Sequence, residues 1–256
     1  MSGKLFDLRG KVVMITGAAG GIGRAMCEAL GQEGATLVIS DLAGEALDTL
    51  AADLNNANVQ TKAIALRVDD RAACFTAVRQ VEAEIGHVDV LINCAGVNTR
   101  MRPELYEEDV WDRIIDINLK GTFNMCQAVY PGMKAQGRGK IINIGSILAL
   151  SSNAVTPVYS ASKGGVLQLT RSLACAWAAD GINVNVIQPG WIDTPLSRRA
   201  RVDIPGHAER VVATTPMGRW GEPGDLVGAT LFLAAPASDF VTGASLVVDG
   251  GVTAHI

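Results

Sequence analysis

Almost wholly apolar stretches of strand length alternate with segments of helical period along the entire chain, and few architectures accept that pattern. Residues 11–16, Lys-Val-Val-Met-Ile-Thr, read as a strand covered on both faces. Residues 22–32 follow, with Ile22, Met26, Ala29 and Leu30 on one helical stripe. The same beat places strands at 36–40, 63–68, 88–93, 140–144, 183–187 and 245–249. Helices are expected at 42–54, in the segment ending at Ile85, and at 107–133, 157–181 and 223–234. Strands joined by helices need right-handed crossovers within one parallel sheet. The chain is therefore read as α/β, a doubly wound parallel sheet of about seven strands with helices on both faces. No compositional break marks a linker, so residues 1–256 form a single domain in this reading.

Composition narrows what such a sheet can serve. A chain of 256 residues, 48% hydrophobic and 19% charged, needs neither disulfides nor a metal to hold its core together. The net charge of −4 argues against a nucleic-acid partner, because phosphate binding needs a basic face. No run approaches the ~18 apolar residues of a membrane span, and the first residues lack the apolar stretch of a secretory leader. The five cysteines (Cys27, Cys74, Cys94, Cys126 and Cys175) include no Cys-x-x-Cys pair, and only three histidines accompany them. No metal site or disulfide framework is expected; the thiols read as small buried side chains in a reducing compartment. A soluble cytoplasmic enzyme, with no nucleic-acid or membrane partner, is the expectation.

One segment breaks the alternation. Residues 194–221 are polar, rich in arginine, and follow a strand's carboxyl end, the edge at which open α/β sheets bind ligands. Two readings stand: a lid over a substrate, or a solvated surface loop.

Thr16-Gly-Ala-Ala-Gly-Gly-Ile-Gly23 joins the first strand to its helix. Gly17, Gly21 and Gly23 let the backbone turn tightly and approach a pyrophosphate at a helix N-terminus, a Rossmann-type arrangement. Asp41 closes the second strand roughly 20 residues later, where a carboxylate accepts hydrogen bonds from the adenosine ribose and repels the extra phosphate of NADP. Neither Gly20 nor Leu42 supplies a cation for that phosphate, so NAD(H) is favoured over NADP(H). Asp41 also has a second reading, as N-cap of a helix starting at Leu42. Tyr159 and Lys163 stand at i and i+4 on one helix face, where a cation favours the phenolate. Lowering a tyrosine to about 7 needs roughly 4 kcal/mol, more than one exposed pair supplies. Ser146 lies ahead of them, directly after the strand at 140–144.

With these residues in view, the chain resembles the short-chain dehydrogenases/reductases over residues 11–251. Gly17, Gly21 and Gly23 match that family's cofactor loop, and Asn93-Cys-Ala-Gly96 is similar to its Asn-Asn-Ala-Gly element. Asn118, Ser146, Tyr159 and Lys163 fall on its catalytic tetrad, Gln188-Pro-Gly-Trp-Ile-Asp-Thr194 on its Pro-Gly segment, and Asp249-Gly-Gly251 on its last strand. The resemblance implies that Tyr159 is the general acid/base, Ser146 holds the substrate oxygen, and Lys163 binds the nicotinamide ribose and depresses the Tyr159 pKa. Asn118 would hold a water linking Lys163 to solvent. Ile22, Val68, Asn93, Ala95, Gly96, Pro189, Gly190, Ile192 and Thr194 would join the glycines, Asp41, Tyr159 and Lys163 around the cofactor. Two departures stand out. Arg67 replaces an aspartate that touches adenine, free to stack on the ring, pair with Asp69 or reach an NADP phosphate. Cys94 replaces the second Asn of its element.

The substrate, a small alcohol or ketone, should meet Ser146, Leu148, Asn153, Tyr159 and Trp191, with Val97 and Leu196 nearby. Arg100, Arg102, Arg198, Arg199 and Arg201 either draw in an anionic substrate such as a sugar acid or pair with surface carboxylates. The leading expectation is an NAD-dependent dehydrogenase of a polyol, sugar or sugar acid. NADPH-linked 3-oxoacyl-carrier-protein reduction is the enzymatic alternative, and a catalytically silent cofactor-binding interaction protein the non-enzymatic one. A homotetramer is implied by the resemblance, with Leu167, Leu173, Ala174 and Trp177 read either as its contacts or as sheet-facing.

Overall fold

All five residues of β1, Val12–Thr16, are buried, which a strand of unbroken apolar character achieves only with neighbours on both edges and helices on both faces. The computed structural model describes residues 5–195, 197–198 and 206–255 and places β1 third in that sheet. The strands are β1, β2 (Thr36–Asp41), β3 (Thr61–Ala65), β4 (Val90–Asn93), β5 (Gly139–Ile144), β6 (Ile182–Pro189) and β7 (Ser245–Val248). Their order is β3-β2-β1-β4-β5-β6-β7, and every neighbouring pair is parallel.

The helices lie in two layers. On one face α1 (Gly21–Gln32), α2 (Glu45–Asn56) and α8 (Val227–Ala234) pack Met26, Leu30, Leu50 and Leu233 against Ile15, Ile39 and Ile92. On the other, α3 (Arg71–Glu84), α5 (Gly121–Gln136) and α6 (Pro157–Trp177) bring Val78, Val129, Met133 and Leu173 onto Met14, Leu91 and Ile141. Two further helices are α4 (Glu108–Ile115) and α7 (His207–Thr214). Among the described residues no helix is long and apolar enough to cross a membrane.

Strand order reverses between β1 and β4. Crossovers leave β1 toward β2 on one side and β4 toward β5 on the other, which opens a crevice beyond their carboxyl ends, where Thr16 pairs with Asn93.

Several boundaries differ from the sequence reading by a few residues, and three of the differences bear on the site. The third strand runs over Thr61–Ala65, not 63–68, because pairing with β2 ends at Asp41↔Ala65 and the chain then bends toward the crevice. The second helix starts at Glu45 behind Gly44, so Asp41 is not its N-cap. The long helix expected over 107–133 is α4 and α5 fused through a π-helical turn, Asp116–Lys120. Three thiols, Cys27, Cys74 and Cys126, are buried as expected, whereas Cys94 is half-buried, and burial pushes the pKa of each of the four up. Cys175 is exposed.

Candidate active site

The glycine loop is fixed by how closely it approaches its own neighbours. Gly17 turns out of β1 with φ +65°, and a Cβ there would lie 2.6 Å from the Ala95 Cα. A Cβ on Gly23 would lie 2.3 Å from the Gly17 carbonyl oxygen. The loop is thus folded onto itself and onto the end of β4, with the N-terminus of the twelve-residue α1 at its rim. No acidic residue in that first turn offsets the helix's positive end.

This rim opens into a cleft of about 930 Å³ lined by Gly21, Asp41, Val68, Ala95, Gly96 and Thr194 among others. Asp41 is half-buried; its Oδ2 accepts the Ala19 N–H at 2.9 Å and its Oδ1 the Leu42 N–H at 2.8 Å. The carboxylate therefore ties the glycine loop to the end of β2. Val68 is held by Asn124, whose Nδ2 donates to its carbonyl at 3.0 Å. Arg67 pairs with Asp69 at 2.6 Å, one of the readings left open above. These residues fit a dinucleotide: amide-rich loop and helix N-terminus for the pyrophosphate, Asp41 for a ribose, Leu66 and Val68 as apolar walls for a base.

A smaller pocket of about 150 Å³ continues from the cleft, sharing Ile22, Cys94, Gly96 and Thr194 with it. Ser146, Leu148, Tyr159, Lys163, Trp191 and Arg100 face it, together with Pro189, Gly190 and Ile192. Burial pushes the Tyr159 phenol up to about 12, against the opposing pull of the Ser146 hydrogen bond and the Arg100 charge. Burial brings the Lys163 ammonium down to about 8, and its Nζ donates to the Ile144 carbonyl at 2.7 Å. The lysine is thus tethered to β5, and its Nζ also lies 5.7 Å from the centroid of the Tyr159 ring, while desolvation is the largest influence on the phenol.

Asn118 sits in the π-helical turn, fully buried behind Gly96. Its Oδ1 accepts the Val97 N–H at 2.8 Å, and its Nδ2 donates to the Val97 carbonyl at 2.9 Å and to Ser162 Oγ at 3.0 Å. Ser162 Oγ in turn donates to the Tyr159 carbonyl at 2.7 Å. Both amide hydrogens are thus committed to protein. The Asn118 side chain thereby clamps the strand-end loop to α6. A Cβ on Gly96 would come to 3.4 Å from Asn118 Oδ1 and 3.5 Å from Lys163 Nζ.

Not every expected residue arrives. Asn93 points into the interior, donating to Asn143 Oδ1 at 2.9 Å; Asn143 donates onward to Thr170 Oγ1 at 2.9 Å, so Asn93 braces the central strands and does not line the cleft. Asn153 does not line the small pocket either; its Oδ1 accepts the Val155 N–H and the Thr156 hydroxyl, tying off the loop before α6. Val97 lines the larger cleft. Arg102 pairs with Glu104 and Arg198 with Asp193, while Arg100 alone of the described arginines lines the small pocket. Leu196, Arg199 and Arg201 lie outside the described residues. Leu167, Leu173 and Ala174 are buried within the chain and Trp177 stacks on Tyr130, in line with the sheet-facing one of the two readings given above. Sequence reasoning overlooked Ser162 and gave Gln188 no role; their only signal was a place inside the Tyr159–Lys163 and Pro-Gly segments.

Within the segment expected as a lid, α7 docks on the pocket wall. His207 meets the edge of Trp191 at 5.1 Å, and Trp220 packs 5.8 Å from His207 and 6.1 Å from Trp191.

Known proteins share this frame. The profile of the short chain dehydrogenase family matches residues 11–204. The chain is 37% identical to the 3-oxoacyl-acyl-carrier-protein reductase of Thermotoga maritima, over 96% of this chain and 98% of that one. It is 38% identical to the 5-keto-D-gluconate 5-reductase of Escherichia coli K12, over 97% of each. A gluconate 5-dehydrogenase from Burkholderia cenocepacia, solved in complex with NADP and tartrate, superposes with a TM-score of 0.96 at 37% identity, covering all of both chains.

Proposed function

The chain belongs to the short chain dehydrogenase family and is an oxidoreductase acting on CH–OH groups, and we propose that it interconverts the hydroxyl and ketone of a sugar acid. The observation that carries this reading is Arg100. Arg100 lines the pocket that holds Ser146 and Tyr159, and its charge acts on the Tyr159 phenol. No described residue lining that pocket is acidic. A guanidinium in such a setting recognises a carboxylate by charge-assisted hydrogen bonds. The Burkholderia relative bound to tartrate, a hydroxy acid, supports the same reading.

In this proposal the carbinol oxygen sits between Ser146 and Tyr159. Tyr159 Oη takes the hydroxyl proton in oxidation and returns it in reduction. Ser146 steadies the charge developing on that oxygen. Lys163, anchored by the Ile144 carbonyl, lies beside Gly96 where the cleft and the pocket meet. When bound, the dinucleotide supplies the hydride acceptor or donor.

NAD(H) is the cofactor we propose, because a 2′-phosphate at the end of β2 would meet the Asp41 carboxylate. The Burkholderia relative holds NADP, and Arg67 lines this chain's cleft, so the choice is open to direct test. Nicotinamide fluorescence titrations should show tighter binding of NADH than NADPH. Turnover should be higher on D-gluconate or 5-keto-D-gluconate than on galactitol. Preference for NADPH together with turnover of a 3-oxoacyl thioester would overturn the proposal in favour of the activity named for the Thermotoga relative. We also propose a cytoplasmic homotetramer, which a monomer in sedimentation velocity would refute.

A further inference from the structure

Ser146 leaves the sheet at a point where the main chain no longer holds it. The last backbone bond from this edge of β5 to β6 is Gly145 N–H to the Ile187 carbonyl, at 2.8 Å. Beyond it the chain enters the tight turn Ile147–Ala149, with Ser146 in extended backbone at φ −169° and ψ 154°. The Ser146 amide is met by a side chain. Gln188, fully buried near the end of β6, accepts the Ser146 N–H on Oε1 at 2.6 Å, while its Nε2 donates to Ser245 Oγ on β7 at 3.3 Å.

The space for that carboxamide exists because residue 145 has no side chain. A Cβ on Gly145 would lie 2.0 Å from Gln188 Oε1 and 2.8 Å from its Cδ. The residues that follow Gln188, Pro189 and Gly190, line the same pocket as Ser146. One buried amide therefore joins two walls of the reacting pocket and links them to β7. A buried N–H without a partner is unfavourable, and among the described residues Gln188 Oε1, not a strand carbonyl, meets the Ser146 amide.

We infer that Gln188 is a positioning residue for Ser146, and that Gly145 is glycine in order to admit its carboxamide. The inference rests on the role proposed for Ser146 above. Displacing the Ser146 main chain moves its hydroxyl away from both the substrate oxygen and Tyr159 Oη, with no change at the glycine loop that holds the dinucleotide.

The test is a cycle of Gln188→Ala, Gly145→Ala and the double variant, with Ser146→Ala as reference. Each is assayed on whichever sugar acid, polyol or simple secondary alcohol the native protein turns over fastest. Gln188→Ala should lower kcat about 10- to 100-fold, the scale of a small misplacement, with cofactor affinity held within about twofold. Because the Ser146 hydrogen bond lowers the Tyr159 pKa, the acidic limb of the oxidation profile should move to higher pH. Gly145→Ala should reproduce both effects alone yet add no more than about twofold in the Gln188→Ala background, where the carboxamide is gone and only Val186 Cγ2, 3.0 Å from the new Cβ, has to give. If Gln188→Ala folds poorly, Gly145→Ala carries the same two readouts. Native-like kcat with an unmoved limb, or losses that multiply in the double variant, overturns the inference. Full activity in Ser146→Ala would instead overturn the reading of the site itself.

Discussion

Lys163 Nζ donates to the carbonyl of Ile144 at 2.7 Å, fastening the middle of the site to the end of β5. The ammonium is almost fully buried, at 5% exposure, and burial holds its pKa near 8 against an ordinary value of 10.5. The unfolded chain therefore binds this proton more tightly than the folded one. Stability is lost below pH 8 and recovered as pH rises from 8 toward 10.5.

Lys163→Met should consequently stabilise the fold while abolishing turnover. At neutral pH the gain is on the order of 1–3 kcal/mol, after allowing for the lost hydrogen bond to Ile144. It should shrink as pH approaches the ordinary lysine range. Denaturant unfolding of the two proteins at neutral and strongly alkaline pH measures both; a gain that does not change with pH would contradict the account.

Tyr159→Phe should reduce kcat by roughly 10²- to 10⁴-fold, the range of a general acid/base. Cofactor affinity should be retained, because the phenol faces the small pocket while the glycine loop and Asp41 lie elsewhere along the cleft. Stopped-flow turnover and fluorescence titration separate the two quantities.

Arg100→Met should raise KM for a sugar acid by about 10- to 100-fold and change KM for a neutral polyol far less. The Arg100 charge also lowers the Tyr159 pKa, so the acidic limb of the oxidation profile should move upward in pH. Equal losses on charged and neutral substrates would show that Arg100 does not read a carboxylate.

Asp41→Asn should narrow the preference for NADH over NADPH by removing the charge that opposes a 2′-phosphate. It should also weaken both cofactors, since the carboxylate holds the Ala19 amide of the glycine loop at 2.9 Å. We expect a loss of about tenfold for NADH, the scale of one hydrogen bond to a charged group. Unchanged NADH affinity would mean that the tie to the loop is incidental.

The elements legible in the sequence were those in which one physical rule acts without competition. Val12–Thr16 had no choice but a doubly covered strand, and the glycines after it no choice but a tight turn. Tyr159 and Lys163 lie on one face of α6 because a helix brings i and i+4 together. The edge strand was harder. β3 is half-exposed, its apolar pattern is weak, and its span is set by pairing with β2. Asn93 and Asn153 were placed by type and position, but their side chains are drawn to nearer polar partners, Asn143 in one case and Val155 with Thr156 in the other.

Periodicity and glycine placement by themselves pointed to a doubly wound sheet with a glycine-rich crevice, whereas the roles expected of four polar residues came from the resemblance to the short-chain dehydrogenases/reductases. Periodicity and glycine placement are local rules, written into consecutive residues. The balance of charge inside the site was decided only by tertiary structure. Burial pushes the Tyr159 phenol up and the Lys163 ammonium down, the Asn118 side chain bonds Val97 and Ser162, and Gln188 reaches Ser146 across forty-two residues of sequence. Desolvation and long-range hydrogen bonding depend on what the rest of the chain places around a group, and no local pattern encodes that.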